Sequence, residues 1–212
     1  MTIASALSYD DLPELVRLQT GDEKHGQASH SALDVLWVLY DRVLGPGDRF
    51  LLSKGHGPTA YYAVLAAKGF IPLETLATFG AFDSPLGNHP DRVLIPGVEI
   101  SSGSLGHGLP IAVGRALAGP RVFVLVGDGE LDEGSNWEAV QYAGRIGLGN
   151  LTTVAIDNDS SSYGWPQGIE RRFELEGWSV TRADGRNHDA LAQAFEEPSG
   201  DRPRLVVAEV RR

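Results

Sequence analysis

Apolar positions along this chain change their period several times, and each change marks a change of element. Residues 121–126, 151–156 and 205–210 are nearly continuous apolar runs, the pattern of strands covered on both faces. Residues 49–52 and 178–182 predict two shorter strands. Helical spacing predicts a helix over 12–19, with Pro13 and Glu14 suited to its first turn. Segment 31–43 is apolar on more than one face (Leu33, Val35, Leu36, Trp37, Leu39, Tyr40), so it predicts a helix buried between layers. Further helices are predicted over 58–69, 72–79, 108–117, 136–145, 170–176 and 189–196. Gly45-Pro46-Gly47-Asp48 is a turn, and 80–106, rich in His, Pro, Gly and Ser, is a long working loop. Helices alternating with apolar strands predict an α/β fold, a parallel β-sheet sandwiched by helices. No repeat or linker interrupts residues 1–212, which predicts a single domain.

Composition narrows the range of functions. The 212 residues carry a formal net charge of −10, which argues against nucleic acid or an anionic membrane as partner. An anionic small molecule stays possible, because backbone amides and a bound cation hold phosphate inside acidic proteins. The absence of cysteine removes disulfides, thiolate metal sites and a Cys nucleophile. The opening MTIASALSYDDLPEL lacks the basic start and apolar stretch of a signal peptide, and the apolar runs are too short to cross a bilayer. The expected location is the cytoplasm. The chain is rich in glycine, with 26, and they cluster around 97–149 without a period, which points to close backbone approach rather than low complexity.

Ligands of parallel sheets collect beyond the carboxyl ends of strands. Gly127-Asp128-Gly129 follows the run 121–126, and Asp157-Asn158 follows 151–156. Asp128 and Asn158 offer hard oxygen ligands, and a diphosphate would complete an octahedral Mg²⁺ shell. Gly129 would bring backbone amides to the phosphate. Taken singly, an Asp and an Asn after strands also serve as turn formers.

Gly-Asp-Gly with an Asn 30 residues after its Asp resembles the thiamine-diphosphate fingerprint. GDGELDEGSNWEA at 127–139, LLSKGH at 51–56, NHP at 88–90 and GVEISSGSLGHGL at 97–109 resemble the transketolase branch, in the right order. The likeness runs from about His25 onward and covers the diphosphate-binding domain, about a third of a full-length transketolase. It implies thiamine diphosphate and Mg²⁺ (or Ca²⁺ or Mn²⁺) as cofactors. Asp128, Asn158 and the Ser160 carbonyl would hold the metal, with Gly127 and Gly129 at the diphosphate. Ser104 and Leu105 would line the cofactor rings. His56 would lie close to the cofactor, while His25 and His89 face the substrate, and these three would be the catalytic histidines. His107, where the family commonly has Gln, would lie at or just behind the cofactor. Glu133 would link paired sites near the dimer centre. His30 and His188 read as helix surface and loop, and Asp157 and Asp159 as bystanders. Two departures stand out: Gly26-Gln27-Ala28 after His25, and Asn88 before His89.

In the family the activating Glu comes from a separate pyrimidine-binding domain. That domain and the C-terminal domain are expected on a partner chain, in an α₂β₂ heterotetramer. The family's Gly- and Lys-rich loop with a further His is not matched before Arg212. The resemblance implies transfer of a two-carbon ketol unit from a ketose (phosphate) to an aldehyde or other acceptor. The alternatives are decarboxylation of a 2-oxo acid, delivery of acyl or ketol units to a carrier protein, and a non-catalytic scaffold.

Overall fold

A computed structural model describes the backbone of residues 7–21 and 26–210, and the side chains of these apart from 26–29. The strands are β1 (Arg49–Leu52), β2 (Val122–Gly127), β3 (Leu151–Asp157), β4 (Ser179–Asp184) and β5 (Arg204–Glu209). They form one sheet in the order β1-β2-β3-β5-β4, and every pairing is parallel. The helices are α1 (Leu12–Arg17), α2 (Gly26–Val38), α3 (Thr59–Ala67), α4 (Gly108–Leu117), α5 (Gly134–Ile146), α6 (Gly168–Leu175) and α7 (His188–Glu196). The predicted parallel sheet between helical layers is therefore present.

The apolar runs divide by parity between two cores. Phe123 and Leu125 face one core with residues of α2, α3 and α7. Val122, Val124 and Val126 face the other, with residues of α4, α5 and α6. A strand buried on both sides needs no polar alternation, which is why these runs read as continuous. Trp37, Tyr61 and Tyr62 are buried in the first core, as packing residues. No helix among the described residues is long and apolar enough to cross a membrane.

Several elements differ from the expected ones. The helix expected through 43 keeps its α form only to Val38, and Leu39–Val43 is wound as a π-helix. There the Leu44 amide donates to the Leu39 carbonyl at 2.8 Å. On this segment the Tyr40 ring meets Phe50, Tyr61 and Phe70. Segment 72–79 is a 3₁₀ helix over Leu73–Thr78. Trp178 precedes β4 rather than opening it: its ring packs edge-on to Phe173 and its Nε1 donates to the Val140 carbonyl at 2.9 Å.

His188 is not in a loop. It opens α7 behind Asn187, whose Oδ1 accepts from the amides of Asp189 at 3.1 Å and Ala190 at 3.0 Å, a regular N-cap. The His188 ring lies 2.9 Å from the buried Asp34 carboxylate, which also accepts from Tyr9 Oη at 2.6 Å and Arg186 at 2.6 Å. Burial and this bond push the Tyr9 hydroxyl well above its ordinary range. His30, by contrast, is exposed on α2 as expected.

Candidate cofactor site

The carboxyl ends of β1, β2 and β3 are neighbours, so residues 53–56, 127–130 and 157–160 leave the sheet side by side. Asp128 is almost fully buried, with 1% exposure. Its Oδ1 accepts from the Gly129 amide at 2.8 Å, and its Oδ2 from the amides of Ser160 at 2.7 Å and Ser161 at 3.3 Å. The Ser160 hydroxyl also donates to Asp128. The tip of β2 and the loop after β3 are thus one unit. A Cβ on residue 129 would sit 3.1 Å from the Ser160 carbonyl oxygen, so glycine permits that approach.

Asn158 Oδ1 is buried with no hydrogen-bond partner. A buried amide oxygen without a partner is costly, and a cation beside it removes the cost. Asp128, Asn158 Oδ1 and the Ser160 carbonyl would offer an all-oxygen donor set of the kind Mg²⁺ prefers, leaving positions that phosphate oxygens could fill. Among the described residues no three His, Cys, Asp or Glu side chains gather as a metal site, so a cation here depends on amide and backbone oxygens. Asp157 is engaged elsewhere: its carboxylate accepts from Arg182 at 2.9 Å. Burial pushes the Asp157 carboxyl up, and the Arg182 bond partly offsets this.

The histidines of two distant motifs meet. The rings of His56 and His89 stand edge to face, 5.1 Å between centroids. A Cβ on Gly103 would lie 2.9 Å from the His89 ring, which seats the 102–108 loop against it. Ser104, Leu105 and His107 are exposed on that loop, Leu105 to 38%. Glu133 is exposed too, and its Cβ lies 2.8 Å from where a Gly106 side chain would begin. His25 lies outside the described residues. Of the other site residues expected from the sequence, His56 meets His89, and Asp128 is bonded to Gly129 and Ser160.

Sequence reasoning passed over three residues here: Ser53, Lys54 and Glu130. Glu130 is buried at 3% exposure and Lys54 at 8%. Burial pulls the Lys54 ammonium down to about 8, against the raising influence of Glu130 and Asp128. Burial likewise pushes the Glu130 carboxyl up, opposed by bonds from Ser53, Gly106 and Gly127 and by Lys54. The signal is present in the sequence, since each charge closely follows an apolar strand, at 51–56 and 127–139.

A parallel α/β sheet with an acid, an amide and glycines at adjoining strand tips is the class of fold that binds ligands beyond the carboxyl ends of its strands. Residues 40–211 match the family model described as transketolase, thiamine diphosphate binding domain. The chain belongs to that family.

A protein of Rhodococcoides fascians named ferredoxin fas2 is 54% identical, over 97% of this chain and 73% of its own length. One subunit of the apulose-4-phosphate transketolase of Actinobacillus succinogenes is 35% identical, over 95% of this chain and 85% of its own. The 6-deoxy-6-sulfo-D-fructose transketolase subunit SqwG of a Clostridium species is 37% identical, over 88% and 74%. Among solved structures, a Pichia stipitis transketolase variant in complex with fructose 6-phosphate superposes with TM-score 0.77 at 25% identity over 96% of this chain. The chain spans 36% of that solved chain's length.

Proposed function

We propose that this chain is the cofactor-holding half of a two-component transketolase, transferring a two-carbon ketol unit from a ketose, often phosphorylated, to an aldehyde acceptor. The observation that carries this reading is the buried, unpartnered Asn158 Oδ1 beside the buried Asp128, with the His56–His89 pair in the neighbouring motifs. Two relatives named as transketolase subunits support the split arrangement.

In this reading residues 1–212 act as one diphosphate-binding domain. Asp128, Asn158 and the Ser160 carbonyl hold Mg²⁺, and Gly127 and Gly129 admit the diphosphate. Ser104, Leu105 and His107 face the cofactor from the 102–108 loop. When bound, thiamine diphosphate supplies a carbon nucleophile for carbonyl chemistry. His56 and His89, with His25, donate hydrogen bonds to the substrate oxygen as it gains charge and move its proton. The exposed Glu133 faces the partner, which supplies the activating Glu and the C-terminal domain, in an α₂β₂ unit of the cytoplasm.

The relative named as a ferredoxin raises electron transfer as a second reading. Iron–sulfur clusters are held by Cys thiolates, and these 212 residues contain no cysteine. Cluster chemistry of that kind has no ligands here.

The test is reconstitution with the partner chain, thiamine diphosphate and Mg²⁺, assayed over a panel of ketoses and 2-oxo acids. Ketol transfer supports the proposal. Decarboxylation alone would move the assignment to a 2-oxo acid enzyme, and cofactor binding without turnover would make the chain a scaffold.

A further inference from the structure

One carboxylate joins three of the segments assigned to the cofactor. Glu130 Oε1 accepts from Ser53 Oγ at 2.5 Å and from the Gly106 amide at 3.0 Å. Its Oε2 accepts from the Gly127 amide at 3.4 Å. Ser53 precedes Lys54-Gly55-His56, Gly106 follows Ser104-Leu105, and Gly127 precedes Asp128. Each bond therefore anchors a position within three residues of a proposed cofactor contact.

Secondary bonds stiffen the same junction. Ser53 Oγ accepts in turn from the Gly108 amide at 3.0 Å, and Ser135 Oγ donates to the Gly106 carbonyl at 2.8 Å. Asn136 Nδ2 fixes the Glu130 backbone by donating to its carbonyl at 2.7 Å. The stem of the buried Lys54 passes Gly127, where an added Cβ would lie 3.3 Å from its Cδ and Cε, and its ammonium offsets the Glu130 charge. An ionised carboxylate is acceptor-only, with room for several donors, and no neutral side chain of its size can accept at both positions.

We propose that Glu130 is a positioning residue of the thiamine diphosphate site, setting the spacing of the 53–56, 104–108 and 127–129 segments without itself touching the cofactor. This rests on the reading that those segments and Asn158 hold the cofactor. A Glu130→Gln side chain keeps the size but turns an amide N–H₂ toward a donor that had an acceptor. The segments then lose one tether and bind the cofactor in a less ordered cradle.

The test uses the chain in complex with its partner, under saturating Mg²⁺. Calorimetry reads the Kd for thiamine diphosphate, thermal denaturation reads the ligand-free fold, and steady-state kinetics read the cofactor KM and kcat. Glu130→Gln should raise Kd and cofactor KM about 10- to 100-fold, by analogy with residues that orient ligands from behind. At saturating cofactor, kcat should recover to within about threefold, because no group that touches substrate has changed. Ser53→Ala, which removes one of the three donors, should give a smaller rise and decides the matter if Glu130→Gln fails to fold. A lowered melting point with unchanged Kd and KM in a folded variant makes the role merely structural and overturns the proposal. If the unaltered complex binds no thiamine diphosphate, the reading of the site falls first and takes this inference with it.

Discussion

His56 and His89, 33 residues apart in sequence, bring their rings edge to face at 5.1 Å between centroids. His56 follows β1 with its ring partly covered, whereas His89 stands exposed on the long loop and is seated against Gly103. A partly covered and an exposed imidazole thus stand side by side, and under the proposed function a substrate oxygen would meet both as donors. The two roles should separate on mutation.

His89→Ala should leave the melting point within a few degrees, since an exposed ring contributes little to the core. It should lower kcat/KM for the ketose about 10²-fold in the reconstituted complex, with the cofactor Kd unchanged. A calorimetric Kd measured beside the kinetics checks this. An equal loss of cofactor affinity would move His89 from the substrate to the cofactor.

Asn158→Ala should weaken Mg²⁺-dependent thiamine diphosphate binding by at least about tenfold, some 1.4 kcal/mol. The same change should leave the fold intact or slightly stabilise it without ligand, because it removes the buried, unpartnered Oδ1. Titrating Mg²⁺ at fixed cofactor distinguishes the two effects. Removing Mg²⁺ with a chelator should abolish tight binding in the unaltered protein.

Gly108→Ala tests the interlock of the segment after β1 with the start of α4. An added Cβ would lie 2.2 Å from both Cβ and Oγ of Ser53 and 2.8 Å from its Cα. No rotation of a flexible side chain relieves that contact. Overpacking of this kind costs about 1–3 kcal/mol or more. Urea unfolding should show the loss directly, together with weakened cofactor binding.

Arg182 links the ends of two strands to α6. It donates to Asp157 at 2.9 Å and to Glu170, and lies 3.7 Å from Glu209. The Arg182 bond holds the Glu170 carboxyl below its ordinary value. A carboxyl lowered in the folded state contributes stability above its unfolded value, about 4.3, and loses it as pH falls through the folded value. Asp157 works in the opposite sense, being raised by burial. Arg182→Ala should therefore cost about 1 kcal/mol at pH 7, since the group is partly exposed. The cost should begin to shrink once the pH falls below about 4.3 and fade as it drops through the lower folded value of Glu170. Urea unfolding at steps from pH 7 down to about pH 3 gives the comparison, and a loss that does not shrink as the pH falls would refute the linkage.

The class of fold and the tips of the site are legible without coordinates. Strands covered on both faces leave an unmistakable apolar run, and 121–126 and 151–156 lie within a residue of β2 and β3. Asp128, Asn158 and the glycines around them stand out because they follow those runs directly. Helix ends and the π turn at Leu39–Val43 do not, since periodicity says nothing about which carbonyl an amide chooses.

What connects the motifs is a matter of packing. The chain visits β4 at the sheet edge before inserting β5 beside β3, an order that strand patterns do not encode. Ser53 and Glu130 are 77 residues apart, and nothing local in either motif requires the other. His188 has the sequence surroundings of a loop residue, and only the packing of α2 against α7 brings Asp34 to it. A buried carboxylate must find its donors wherever the fold places them, so such partnerships emerge only once the layers have packed.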